Sequence, residues 1–75
     1  MKNIDALIDD SGEITLGPVG SIDCAATAAN AHNTLAMLVR GNGETISALL
    51  KRLDKAIGRY YNDGEVTDEI NPPLD

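Results

Sequence analysis

A chain of 75 residues with a net charge of −6, one cysteine and one histidine is long enough for one small domain. It is too poor in ligand residues for an intrachain disulfide or a cysteine/histidine metal site. The acidity also argues against nucleic-acid binding, which needs a cationic surface to release counterions. No apolar run approaches the roughly 18 residues of a membrane span, and acids follow Lys2 at once, so neither insertion nor export is expected.

The core material is thin: seven Ile, eight Leu, three Val and two Met, with no Phe or Trp. Alanine supplies much of the remaining apolar content and buries little area. At roughly 25 cal/mol per Å², the burial available to so short a chain barely offsets its ordering cost. With disulfides and metals set aside, a partner chain is the remaining way to gain stability, and a homo-oligomer, in its simplest form a homodimer, is expected. The lone cysteine suits a reducing compartment, which places the protein in the cytoplasm.

In chain order, Ile4–Ile8 and Glu13–Leu16 flank the turn formers Asp9-Asp10-Ser11-Gly12, a pattern that predicts a hairpin. Gly17-Pro18-Val19-Gly20 should end regular structure. Residues 21–40 admit two readings. As a helix, Ser21 caps it, Cys24, Ala28, Ala31, Leu35 and Leu38 form a narrow stripe, and Gly41 ends it. As a hairpin, Asn30-Ala31-His32-Asn33 is the loop. That register pairs Ala28 with Leu35, Ala26 with Met37 and Cys24 with Val39 on one face, and Thr27 with Ala36, Ala25 with Leu38 and Asp23 with Arg40 on the other. Asn30, His32, Asn33 and Thr34 are poor helix formers and good loop residues, which favours the hairpin.

From Glu44 to Tyr61 the pattern is unambiguous. Ile46, Leu49, Leu50, Leu53, Ile57 and Tyr60 recur at helical intervals, with Lys51, Arg52, Asp54, Lys55 and Arg59 on the remaining faces. Asn42 or Thr45 can cap the start, and Asn62-Asp63-Gly64 marks the end. Gly58 suggests a close approach of another backbone. Ile46, Leu50, Leu53, Ile57 and Tyr60 also have the four-three spacing of a coiled-coil seam. The helix carries +2 and residues 62–75 carry −5. That division gives a domain over 1–64 and an acidic tail over 65–75, whose Val66 and Ile70 would anchor it. Its acids should lie toward the stripe of Lys51, Lys55 and Arg59, and Pro72-Pro73 should leave the last residues free.

The expected fold is therefore α+β: a small antiparallel meander of two to four strands packed by one long amphipathic helix. The alternative is an α-helical hairpin that dimerises as a bundle. No catalytic, cofactor-binding or metal residue stands out. His32 sits in a candidate loop with no ligand partners, and Cys24 lies among alanines without a base. Asp9–Glu13 lacks the ligand pattern of a calcium loop, and Gly41–Thr45 lacks the Lys-Ser/Thr of a phosphate loop. The expectation is a non-enzymatic interaction or regulatory module, with Ile46, Leu50, Leu53, Ile57, Tyr60, Val66 and Ile70 as interaction residues. The alternative is an acidic inhibitor or antitoxin-like protein that blocks a basic site on a target.

Overall fold

The computed structural model describes residues 1–71 as a two-layer α+β fold. The elements run α1 (Lys2–Asp9), β1 (Glu13–Val19), β2 (Ile22–Ala29), β3 (Thr34–Val39), α2 (Ile46–Asp63) and β4 (Thr67–Asp68). The sheet order is β1-β2-β3-β4. The first three strands form the expected antiparallel meander, and β4 adds in parallel beside β3 after the α2 crossover.

Helix α2 forms as its periodicity requires. Thr45 is the N-cap and its hydroxyl accepts the Ala48 N–H at 3.1 Å, while Gly64 at φ 70° closes the last turn by donating to the Tyr60 carbonyl. Leu49, Leu53, Ala56 and Ile57 are buried on its inner face. Opposite them the sheet presents Ala26, Ala28, Leu35, Ala36 and Leu38. The small alanines let the helix lie close, so a few leucines fill the interior.

The first expected hairpin is corrected: residues 2–9 are helix α1, not a strand. The turn formers after it act as a helix C-cap. Gly12 N–H donates to the Leu7 carbonyl at 2.8 Å and Ser11 N–H to that of Ile8 at 3.1 Å. With Ser11 at φ 66°, this is the Schellman arrangement. Gly12 is required there, because a Cβ would come within 2.4 Å of Leu7 Cδ1. The start of α1 has no local side-chain cap. Asp54 of α2 supplies it: its Oδ1 accepts the N–H groups of Asn3 and Ile4, each at 2.9 Å. Asn3 Nδ2 donates in return to the Asp54 carbonyl and Oδ2. Gly58 is therefore the place where a neighbour comes close, and the neighbour is a side chain rather than a backbone: a Cβ there would meet Asn3 Nδ2 at 2.7 Å.

Strand β1 does not stop at Gly17. It continues to Val19 through a register shift around Pro18, which an edge strand accommodates because proline has no N–H to give to a ladder. The hairpin over 21–40 is present with its loop at Asn30–Asn33, where Asn30 Oδ1 accepts the N–H groups of His32 and Asn33. Its register is one residue from the expected one: Ala28 pairs with Ala36, Thr27 with Met37, Ala26 with Leu38 and Ala25 with Val39. The shift lies between Ala28 and Ala29. Leu35 is the extra residue of β3, and the bulge allows both Leu35 and Ala36 to be buried.

Leu53→Ala should cost about 2–5 kcal/mol, the range for truncating a buried leucine, read from urea titration. Asp54→Ala should cost about 1–2 kcal/mol as a lost cap, with α1 amides exchanging faster than those of β2. Unchanged exchange at Leu7 would mean that apolar contact alone holds α1.

Candidate interaction surface

Both helices pack on one face of the sheet, since Leu7 of α1 and the inner residues of α2 belong to one buried cluster. The register sets the other face. Thr15, Thr27, Met37 and Asp68 lie side by side in one row, with Gly17, Ala25 and Val39 in the next. No described element covers this face. Thr27, Met37 and Val39 are half-buried and Thr15 is exposed; the hydroxyls of Thr15 and Thr27 are hydrogen-bonded across the two strands. Beside the β1 irregularity a depression of about 250 Å³ opens over Ala25, Gly17 and Pro18. The centre of the face is uncharged, and Glu13, Asp23 and Asp68 stand at its margins.

On the edge of the helix layer, Arg52 ties α2 to three other parts of the chain. Its Nε and Nη2 donate to the two Glu44 carboxylate oxygens at 2.7 and 2.8 Å. Nη2 also donates to the Val39 carbonyl, and Nη1 donates to Glu69 Oε2 at 3.0 Å. The other Glu69 oxygen accepts the Val39 N–H, and the Glu69 N–H donates to the Met37 carbonyl. A planar fork with five donors suits this task and an ammonium does not. Hydrogen bonds from Arg52 and from the Gly41 N–H hold the Glu44 carboxyl well below its ordinary range, at about 2.

The structure distributes the sequence-derived interaction residues unevenly. Leu53 and Ile57 are fully buried in the chain's own core, with Leu50 and Tyr60 packed against it, and Ile46 half-buried. The apolar stripe of α2 thus packs on its own sheet. Val66 is exposed and Ile70 half-buried. The expected docking of the acidic segment is corrected in its means. Strand pairing of Thr67–Asp68 and the Glu69–Arg52 pair bind it, and no described acid pairs with Lys51, Lys55 or Arg59. The expectation for Pro72–Asp75 lies outside the described residues.

His32 is exposed in the hairpin loop, and Cys24 is half-buried at the edge of the core rather than fully buried. Cys24 borders a groove of about 560 Å³ with Asp23, Arg40 and the glycines of the 41–43 loop. Among the described residues no three His, Cys, Asp or Glu side chains converge on one point. The uncovered sheet face was missed in the sequence because the one-residue register difference exchanges Met37 and Val39 with Ala36 and Leu38. No protein-family model matches the chain, and no curated protein or solved structure is significantly similar to it.

Since Glu44 has an ordinary value of 4.5 that falls to about 2 on folding, its pairing stabilises the protein fully above pH 4.5. That contribution is lost as the pH falls toward 2. Acid titration of the urea midpoint across this window should therefore be steeper for the wild type than for Glu44→Gln, and Arg52→Ala should flatten it similarly.

Proposed function

We propose that this chain is a non-enzymatic protein–protein interaction module of the cytoplasm that works as a homodimer, with the uncovered sheet face as the contact between copies. The observation that carries the reading is that face: an uncharged centre of Thr27, Met37 and Val39, with Ala25 buried among them, inside a margin of Glu13, Asp23 and Asp68. A small domain normally buries each apolar face against a further layer, and the shortest extent here, 18 Å, is that of two layers. A dry centre with a polar rim is also the usual anatomy of an interface. The interior supports the same reading, because among the described residues only six large side chains are fully buried, and a second copy would add the area that the core lacks.

An acidic inhibitor or antitoxin-like role draws less support. Glu69 is engaged by Arg52 and Val39, and Asp68 Oδ1 accepts the N–H groups of Ile70 and Asn71. Both acids therefore serve this fold before any target.

Sedimentation equilibrium at micromolar concentration should give a dimer for the wild type and a monomer for Met37→Glu, with the helix content of the two unchanged by circular dichroism. Because both copies bring acids to the rim, association should strengthen with salt, whereas a charge-driven contact would weaken. A monomeric wild type, or a dimer untouched by Met37→Glu and by Thr27→Lys, would remove the sheet face from consideration.

A further inference from the structure

Four of the six cations of the chain, Lys51, Arg52, Lys55 and Arg59, lie on α2. Arg52 is committed to Glu44 and Glu69. Lys55 and Arg59 are exposed and pair with no described acid. They border a groove of about 360 Å³ between α2 and β4. Leu38 and Ala56 give the groove an apolar base, and Thr67 lies across from the two cations. The Thr67 hydroxyl is buried and has no hydrogen-bond partner among the described residues, an uncommon condition for a side-chain oxygen. Glu69 closes one end, but both of its carboxylate oxygens are already engaged. The groove thus offers two exposed cations without a described acid partner above an apolar base.

We propose that this groove binds an extended acidic segment of a partner protein, two of whose carboxylates pair with Lys55 and Arg59. Lys55 and Arg59 are four residues apart on a helix, a rise of about 6 Å. Residues i and i+2 of an extended strand are about 6.6 Å apart and point the same way. An acid–apolar–acid triplet therefore matches the groove: its acids face α2, and the residue between them faces Leu38 and Thr67. A polyanionic nucleic acid fits poorly, because the chain is strongly acidic overall and the base of the groove is apolar. The inference rests on the reading of the chain as an interaction module, but it uses the helix side of the molecule and leaves the dimer face free.

A random heptapeptide display library panned on the full-length chain tests it. Selection should enrich peptides that carry two Asp or Glu flanking an apolar residue. Binding of an enriched peptide should fall at least tenfold for Lys55→Glu/Arg59→Glu and weaken with salt. Its amide shifts on labelled protein should centre on Leu38, Ala56, Arg59 and Thr67. Three results would each overturn the proposal: enrichment without acids, equal binding to the double variant, or the same amide shifts from inorganic phosphate alone. Sedimentation of the double variant separates this from the dimer reading. A dimer that persists while peptide binding fails leaves the homodimer standing, and a monomer that still binds the peptide leaves the groove standing.

Discussion

Everything in this fold depends on how closely α2 can approach a sheet surfaced with alanine. Leu49, Leu53 and Ile57 of α2 share one buried cluster with Ala26, Ala28 and Ala36 of the sheet and with Leu7, Leu35 and Leu38, so the interior is a few large side chains set among alanines. Each buried leucine then accounts for a large fraction of the stability that a chain of this size can have. The arrangement uses shape more than volume. Replacing any of the three alanines with a larger side chain would lift the helix rather than enrich the core.

A helix placed by small contacts needs its direction fixed by something else. Among the described residues no polar or charged residue is fully buried, so no polar core pair specifies the arrangement. That role falls to two half-exposed residues of α2, two positions apart on the chain and so facing different ways. Asp54 reaches the open amide end of α1 and Arg52 reaches β3, Glu69 just after β4 and the loop before α2. Each collects several hydrogen bonds to groups far away in sequence, and hydrogen bonds to charged groups are the stronger kind. The long helix is thus a beam with an apolar underside and one polar arm on each flank.

This division explains how much was legible in the sequence. Helix α2 was, because its periodicity and both of its caps are local. So was the Asn30–Asn33 loop, whose residues make their own turn. Helix α1 was not, because Asp54 caps it from some fifty residues away and its C-cap uses Ser11 where a glycine is usual. The apolar residues Ile4, Leu7 and Ile8 do have helical spacing, and that was the available signal. The strand register failed by one residue at Leu35, since a bulge leaves no mark in an alternating pattern of alanine and leucine. Strand β4 is two residues long, too short for any periodicity, and Arg52 gives it its place.

The same economy bears on what the surface is for. A catalytic group usually shows itself as a perturbed acid or base in a cleft, with its perturbation unused by the fold. Here the strongly shifted pair is Glu44 with Arg52: Glu44 is shifted by Arg52 and the Gly41 N–H, and Arg52 by Glu44 and Glu69. Their electrostatic energy goes into positioning β4 and the start of α2. The surface features that the fold does not use are of another kind: an uncharged sheet face, and two cations beside an apolar groove. On the proposed function, that uncharged face and those two cations, which have no described acid partner, are where association would meet the interactions that the fold leaves open.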